Sequence, residues 1–388
     1  MSTLKVSSVQ HASAASPAIT LDASGQATLN GLAFPTSGSL SGRNRIINGD
    51  MRIDQRNAGA SVTTANAYTL DRWSIGETTA GACSISRSNV APATYVNSLL
   101  WTTTIADSSL GAGEYAVAQQ LIEGFNVADL AWGTASALPI TLSFWVRSSL
   151  TGTFAGAFQN NGSARAYVFN YSIAAANTWE YKTITVPGDT SGTWLTDNGI
   201  GLRVAFSLGF ASQYQTSANT WQSGNYWASA GETQVIGTLN ATWQITGVQL
   251  EAGTVATPFE RRSYGQELAF CQRYYEKSYN TDVVPGTSTK NGALGLPSQN
   301  LAGNNYALGT FSFNASKRAS PTMSYWDLAG NASKFSYFNS NTATYTDNVT
   351  PAAAPTFHPG TSQCMVEHIH FNPNYGSMGI HWVAAIEL

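Results

Sequence analysis

Residues 166–173 read Ala-Tyr-Val-Phe-Asn-Tyr-Ser-Ile, and residues 241–250 read Ala-Thr-Trp-Gln-Ile-Thr-Gly-Val-Gln-Leu. In both stretches apolar and aromatic residues recur at nearly every second position, which is the period of a strand with one face on a core. Similar runs follow one another from Tyr68 to Leu250, separated by turn residues such as Pro187-Gly188. About eight such strands, without helical patterns between them, predict a two-sheet sandwich of jelly-roll type.

The composition supports an all-β protein and excludes several functions. Charged residues make up 11% of the 388 residues, and 19 Lys and Arg against 22 Asp and Glu give a formal net charge of −3. So few cations cannot neutralise many phosphates, which argues against nucleic acid or anionic lipid as the main partner. In place of charge the chain carries neutral polar residues, 35 Gly, 11 Trp, 17 Tyr and 16 Phe, a mixture typical of strands and short turns.

The cysteines and the apolar segments indicate whether disulfides, metal sites, a signal peptide or a membrane span are to be expected. The three cysteines, Cys83, Cys271 and Cys364, are too few and too far apart for a disulfide framework or a zinc motif. We therefore expect no cofactor. The first twenty residues lack the apolar run of a signal peptide, and no later segment has the length of a membrane span. The sequence predicts neither secretion nor membrane insertion.

Changes in composition and in hydrophobic pattern along the chain predict four parts. An N-terminal attachment arm covers residues 1–43, a sandwich 44–262, a linking helix 263–280 and a C-terminal β domain 281–388. The fold class is thus all-β: a jelly-roll-type sandwich and a smaller C-terminal sandwich, joined by one short helix, with an N-terminal hairpin arm. Ser263 and Gln266 have the spacing of a capping box, and we expect the helix to continue towards Lys277.

The N-terminal arm alternates apolar and polar residues. Its hairpin runs through Ala18–Leu21 and Gln26–Leu29, with Asp and Gly supplying the turn. An isolated hairpin is marginal in water, so the arm needs a second surface, either copies of itself or a docking partner. The alternative is an unstructured terminus. The residues expected to attach are Leu4, Val6, Ile19, Leu21 and Leu29.

The C-terminal region begins with a Gly-, Asn- and Ser-rich stretch, Thr281–Asn305, which predicts long loops. About five strands follow it. Four of the five histidines lie in the last 31 residues, and His368 and His370 share one strand face. On a threefold axis such pairs could offer six imidazoles to a divalent metal, whereas the alternative is solvent-facing histidines on an outer strand.

A loop from Gln213 to Ala228 concentrates aromatic residues among Ser, Asn and Gly. Aromatic rings stack on the C–H faces of sugars, while amides and hydroxyls bind the sugar hydroxyls. The glycan-binding candidates are therefore Tyr214, Trp221, Tyr226 and Trp227. The alternative is that these rings only pack the loop or form a subunit contact. Gly-x-Ser-x-Gly, His-Glu-x-x-His and Walker loops are absent, which favours a non-enzymatic protein.

Several motifs together resemble tailed-bacteriophage tail-fibre and related virion proteins. They are the opening Met1–Val6, Asn44–Met51, Tyr68–Trp73, Ile245–Glu251, Thr257–Arg262, Glu267–Tyr275, Arg318–Thr322 and the closing His381–Leu388. The resemblance implies a non-enzymatic virion component, usually a homotrimer. In it the arm anchors to other proteins of the tail, baseplate or capsid, a sandwich similar to carbohydrate-binding modules follows, and a C-terminal domain faces outward. It assigns no catalytic residue.

The leading hypothesis is therefore a structural and adhesion protein of a phage particle that contacts a host-surface glycan. Two alternatives stay open at this stage. One is a capsid or tail decoration protein without a receptor, and the other is a depolymerase that cleaves surface polysaccharide.

Overall fold

Apart from one α-helix and four short 3₁₀ turns, every regular element in the described part of the chain is a β-strand. The predicted all-β fold class is confirmed, with strands making up 44% of the chain. The computed structural model describes residues 6–10, 12–21, 23, 27–29, 32–33, 42–64, 66–301, 304–339, 341–349, 355–370 and 375–388. For residues 32–33, 298–301, 304–306, 369–370 and 375, which lie in strands, the structure describes the backbone but not the side chains.

The chain folds into two units, each with its own core. The first comprises Met1–Met51, Thr63–Ala67 and Ile75–Arg262. The second comprises Arg52–Val62, Tyr68–Ser74 and Ser263–Leu388. Two segments that precede the helix by some 190 residues in sequence thus count with the C-terminal unit.

The N-terminal arm forms a four-stranded antiparallel sheet in the order β1-β2-β3-β4. Its strands are β1 (Ser8–Val9), β2 (Ile19–Leu21), β3 (Ala27–Leu29) and β4 (Leu32–Ala33). The predicted hairpin is present as β2 and β3, with Ile19 opposite Leu29 and Leu21 opposite Ala27. Val9 pairs with Ile19, so Val9, Ile19, Leu21 and Leu29 share one face. All four are 37–53% exposed, as is Val6 at 46%, whereas Leu4 lies outside the described residues.

Two antiparallel sheets form the sandwich. The strands are β5 (Ala67–Leu70), β6 (Trp73–Glu77), β7 (Ala82–Ser88), β8 (Ser98–Ile105), β9 (Tyr115–Glu123), β10 (Ile140–Ser148), β11 (Gly152–Gln159), β12 (Arg165–Ile173), β13 (Glu180–Val186), β14 (Ile200–Phe210), β15 (Trp221–Ser223) and β16 (Thr242–Ala252). The five-stranded sheet has the order β13-β10-β16-β8-β7, and the seven-stranded sheet has the order β15-β12-β11-β14-β9-β6-β5.

The faces that these sheets turn toward each other are aromatic. Phe144 of the five-stranded sheet meets Tyr171 and Phe206 of the seven-stranded sheet edge-on, with ring centroids 5.2 and 5.1 Å apart. Phe206 also contacts Trp243 at 5.7 Å. Because side chains alternate along a strand, the odd-numbered neighbours of Phe144 in β10 must point away from this core.

The described part of the second unit contains a helix and nine strands, several of which pair with the last strand. They are α1 (Tyr264–Gln272), β17 (Tyr275–Lys277), β18 (Leu294–Leu301), β19 (Asn304–Ser312), β20 (Thr322–Trp326), β21 (Phe335–Asn339), β22 (Thr344–Val349), β23 (Thr356–Pro359), β24 (Gln363–His370) and β25 (Tyr375–Ala385). The first half of β25 pairs with β18 and β21, and its second half pairs with β17 and β20.

Two sequence expectations for this unit need correction. The helix begins as predicted, with the Ser263 side chain accepting the Gln266 N–H at 3.3 Å, but it ends at Gln272. Residues Tyr275–Lys277 form β17 because they pair with Val383–Ala385 of β25. The stretch predicted as long loops contains β18, whose first half, 294–297, pairs with β25 and whose second half, 298–301, pairs with β19.

Motifs that carry the phage resemblance form a buried polar network in the first unit. The Asn44 side chain accepts the N–H groups of Ile46 and Leu250, both at 3.0 Å. The Glu260 carboxylate accepts the Asn44 N–H at 2.8 Å, and the Glu260 N–H donates to the Gln249 side chain at 2.7 Å. The network ties residues 44–46 to β16, the last strand of the sandwich, so these motif residues have a structural role.

Other motifs meet in a second network inside the C-terminal unit. Glu387 accepts from Arg56 at 2.7 Å and from the buried Arg72. Each guanidinium also covers a tyrosine ring, Arg56 over Tyr275 at 3.8 Å and Arg72 over Tyr274 at 3.6 Å. Planar guanidinium groups suit such combined ion-pair and ring contacts.

Candidate functional site

The predicted aromatic loop lies on the outer face of the seven-stranded sheet. Trp227 stacks on Phe210 with centroids 5.4 Å apart and planes 13° apart, and Tyr214 meets Phe210 edge-on at 5.7 Å. The sheet presents the small residues Ala155 and Ala205 at this place, so the loop can approach closely. Two of the four predicted rings thus pack the loop onto the sheet.

Trp221 belongs to a cluster of three tryptophans. Trp132, Trp194 and Trp221 meet edge-to-face, with centroids 4.6–5.5 Å apart. Every indole N–H in the cluster donates to a backbone carbonyl, and that of Trp221 reaches Pro187 at 2.8 Å. Such a cluster stabilises the edge of the sandwich and leaves no indole donor for a ligand.

Tyr226 has a different setting from the other three rings. Its ring lies over Gly224, where a Cβ atom would come within 2.6 Å of it. It is half-buried and forms no ring contact with another aromatic residue in the described part of the chain. The structure thus does not gather Tyr214, Trp221, Tyr226 and Trp227 into one stacking surface.

The same loop borders an open hollow of about 390 Å³. It is lined by Ser212, Gln215, Thr216, Ser217, Ala218, Ser229 and Ala230. Among the described residues, the hydroxyls of Ser212, Thr216 and Ser217 have no hydrogen-bond partner. The hollow can therefore offer uncharged hydrogen-bonding groups, but its lining contains no aromatic ring.

The paired histidines of β24 lie at positions two apart on the same strand. His368 is 2% exposed, lies in the core beside Phe335, and its Nε2 is 3.0 Å from the Tyr337 hydroxyl. The side chain of His370 lies outside the described residues. Within the part of the chain that the structure describes, no group of three His, Cys, Asp or Glu side chains could hold a metal. The threefold metal site stays a prediction.

An exposed pair of rings lies on the outer face of the five-stranded sheet. Trp145 of β10 is half-buried, and Tyr181 of the edge strand β13 lies directly opposite it and is 45% exposed. Their centroids are 5.4 Å apart, with planes tilted by 51°. Neither the Trp145 indole N–H nor the Tyr181 hydroxyl has a hydrogen-bond partner among the described residues. The pair combines apolar ring surface with free polar groups.

Two further rings extend this surface. Tyr95 meets Phe259 edge-on at 5.5 Å. Burial raises the pKa of Tyr95 to about 12, with the nearby Tyr181 also raising it and Arg261 opposing the shift. Gly247 makes room for Tyr95: it adopts a φ of +62°, and a Cβ atom there would come within 2.7 Å of the tyrosine ring. We call Tyr95, Trp145, Tyr181 and Phe259 the aromatic face.

A buried hydroxyl lies beside this surface. Thr246 of β16 is directly opposite Trp145, on the side of the sheet that points away from the core. Its Oγ1 is buried and has no hydrogen-bond partner within the described residues. A register shift between Ser143 and Trp145 marks a bulge here, a feature that commonly re-aims side chains.

Sequence reasoning identified the strand that carries Trp145 but not its exposure. Alternation shows that Phe144 and Trp145 face opposite sides, yet it cannot show which side a second layer covers. The sequence does contain a signal for the pair: Trp145 alternates with Phe144 and Val146, and Tyr181 lies in a second alternating run, residues 179–186, among the runs between Tyr68 and Leu250.

Comparisons with known proteins give remote structural likenesses. Neither the family models nor the curated proteins contain a match to this sequence. An enzymatically active domain of tailspike protein 4 from bacteriophage CBA120 is 13% identical, with a TM-score of 0.31. That match covers 54% of this chain and 21% of the tailspike chain.

Carbohydrate-binding modules are also among the similar structures. A family 11 module from Clostridium thermocellum, solved with a mixed-linked tetrasaccharide, is 12% identical, with a TM-score of 0.26, and the match covers 51% of this chain and 98% of the module. A xylan-binding family 22 domain from Paenibacillus barcinonensis is 10% identical, with a TM-score of 0.26, over 52% of this chain and 99% of the domain. Because all these TM-scores lie below 0.5, we take no residue's role from them.

The described helix is too short to cross a membrane. It has nine residues, and no helix in the described ranges has both the length and the apolar character of a span.

Proposed function

We propose that this chain binds carbohydrate and that the aromatic face of the first unit is its contact surface. The observation that carries the proposal is the Trp145–Tyr181 pair, a half-buried and an exposed ring with a free indole N–H and a free hydroxyl. Sugars need such a combination, because their C–H faces are apolar while their rims carry hydroxyls. Charged residues make up only 11% of the chain, so rings and neutral polar groups provide most of the contacts that such a surface can make.

The hollow beside the predicted loop supports a secondary contact. Its free hydroxyls can bind sugar hydroxyls. We propose the aromatic face as the main site because stacking contributes more than exposed neutral hydrogen bonds, which are exchanged against water at small net gain.

We further propose that the protein acts as a fibre-like adhesin of a phage particle and forms a homotrimer. The arm supports this role, because its sheet exposes an apolar face that a partner must cover. The arm, residues 1–43, contains only Lys5, Asp22 and Arg43 as charged side chains, which favours an apolar partner over an oppositely charged one. Electron microscopy of labelled particles would locate the protein, and light scattering would give its mass.

The binding proposal is tested with an array of bacterial surface polysaccharides. The full chain should bind at least one, and Trp145→Ala should weaken that binding by about 10- to 100-fold, as for the loss of a central interface residue. Trp145→Phe should recover part of the affinity because it restores a ring. Circular dichroism verifies that the variants are folded.

Tyr226→Ala serves as the matched control and tests the predicted loop at the same time. We expect it to change affinity by less than about threefold. Binding that survives Trp145→Ala but disappears in Tyr226→Ala would move the site to the loop. A chain that binds no carbohydrate at all would refute the proposal.

A further inference from the structure

Two arginines flank the aromatic face without a carboxylate partner. Arg147 follows Trp145 by two residues on β10 and therefore shares its face. Arg261 lies over the Tyr95 ring, with its guanidinium carbon 4.6 Å from the ring centroid. Neither arginine forms an ion pair with any residue that the structure describes.

Arg147 is held in place by uncharged groups. Its Nε donates to the Asn177 carbonyl at 2.9 Å, and its Nη1 donates to the Gln244 side chain at 2.5 Å. The remaining terminal nitrogen, Nη2, has no acceptor among the described residues. The guanidinium is thus oriented in advance and keeps a donor edge available, which lowers the cost of ordering it when a ligand binds.

Arg261 is anchored more loosely and is exposed. Its Nη2 donates to the Thr94 hydroxyl at 3.1 Å, and its guanidinium also lies 5.7 Å from the Phe259 ring centroid. Acidic groups near the face are already engaged. Asp50 is buried, and Glu180 binds Lys182 at 2.7 Å together with two backbone N–H groups. The exposed charge at this surface is therefore positive, in a chain whose net charge is −3.

From this arrangement we infer that the carbohydrate bound at the aromatic face carries carboxylate groups, as uronic and sialic acids do. A sugar ring on Trp145 and Tyr181 would place its substituents within reach of Arg147, and the next unit along the glycan would meet Arg261. Arginine is the side chain best matched to a carboxylate, since its N–H groups form paired charge-assisted hydrogen bonds. This inference rests on the proposed carbohydrate binding.

The test compares acidic polysaccharides with neutral forms of the same chains. Alginate, polygalacturonate and polysialic acid are assayed in native form and after reduction of their carboxyl groups to alcohols. Dextran serves as the neutral reference and dextran sulfate as an anion without carboxylates. We expect at least one native acid to bind about tenfold or more tightly than its reduced form, and to lose affinity at high salt.

Substitutions assign this preference to the two arginines. Arg147→Gln and Arg261→Gln should each reduce binding of the native acid by about 5- to 10-fold and leave the reduced form unchanged. Lys290→Gln is the matched control: it removes one exposed cation from the second unit and should change nothing. Trp145→Ala should weaken both forms.

The outcomes separate this inference from the proposed function. Equal binding of native and reduced forms overturns the inference and leaves carbohydrate binding intact. Dextran sulfate binding that is as tight as that of the acids and insensitive to Trp145→Ala also overturns it, because this would be simple ion exchange. Absence of binding to all acidic, reduced and neutral polysaccharides refutes the proposed function itself.

Discussion

Glu232 shows how a single residue of this low-charge protein responds to burial. Its carboxylate accepts the Ser207 hydroxyl at 2.8 Å and the Phe210 N–H at 3.1 Å, while Oε2 is buried without a partner among the described residues. Burial raises the pKa of Glu232 from 4.5 to about 8, with both hydrogen bonds opposing the shift. The folded unit therefore holds this proton more tightly than the unfolded chain does.

The raised pKa of Glu232 predicts that the stability of the folded protein depends on pH. The stabilisation is complete below pH 4.5 and is lost as the pH rises to about 8, and a shift of this size corresponds to at most about 5 kcal/mol. Glu232→Gln cannot ionise, so its free energy of unfolding should not fall over this range. Urea unfolding at pH 5, 6.5 and 8 measures both proteins. Parallel curves for wild type and variant would contradict the shifted pKa.

At the residue scale, the sequence indicated that the aromatic residues of the loop make ring contacts, but not which residues they contact. Tyr214 and Trp227 were candidates because aromatic residues in a loop can stack on sugars, and packing against the loop was the stated alternative. Their packing against Phe210 depends on small residues in separate strands, such as Ala155 and Ala205. No local pattern links a loop to the strands beneath it, so this outcome required the tertiary structure.

At the element scale, β25 and the residues after it depend on the Glu387 network. Arg318 donates to the carbonyls of Ile386 and Glu387 at 2.9 Å, and the Glu387 side chain is 10% exposed. Glu387→Gln would leave Arg56 and Arg72 buried without their shared carboxylate. Breaking a buried ion pair in this way costs about 3–5 kcal/mol.

We therefore expect Glu387→Gln to lower the free energy of unfolding by about that amount. Asp129→Asn is the control: it breaks the pair with Arg45 at 2.5 Å, but Asp129 is 53% exposed. Exposed pairs contribute at most about 1 kcal/mol. If both substitutions had equally small effects in urea unfolding, the Glu387 network would not stabilise the unit.

The two faces of the four-stranded sheet in the arm give a separate prediction. Ile19→Asp places a charge on the exposed apolar face, whereas Thr20→Asp places one on the opposite face. If the apolar face docks to the particle, Ile19→Asp should remove the protein from purified particles by tenfold or more, and Thr20→Asp should have little effect. Immunoblots of particles measure the retained amount. Equal retention of both variants would contradict attachment through this face.

Strand positions were the most predictable elements. The run quoted for residues 166–173 lies within the strand Arg165–Ile173. Alternation specifies such strands locally. The predicted helix was too long because Tyr275–Lys277 fits both periods, and pairing with β25 decides in favour of the strand. Strand β18 was missed because its Gly, Pro, Ser and Asn residues are typical of loops, and its pairing partners are distant in sequence.

At the scale of the whole molecule, the buried polar networks that stabilise the two units are separate from the aromatic face that we propose as the binding surface. The motifs that resemble phage fibre proteins, including Asn44 and Glu387, hold buried networks together. The surface that we propose to bind carbohydrate lies outside those networks and consists of rings and arginines on or beside the five-stranded sheet. The resemblance suggested a class of protein, whereas the proposed contact surface depends on exposure and strand register, which the motifs do not contain.

The most direct test of the central claim is a crystal structure of the full chain with an oligosaccharide taken from its best-bound polysaccharide. The account predicts a sugar ring stacked at about 4 Å on Trp145 or Tyr181, with a hydroxyl accepting the Trp145 indole N–H. A sugar bound in the Ser212–Ala230 hollow, with Trp145 and Tyr181 uncovered, would contradict it.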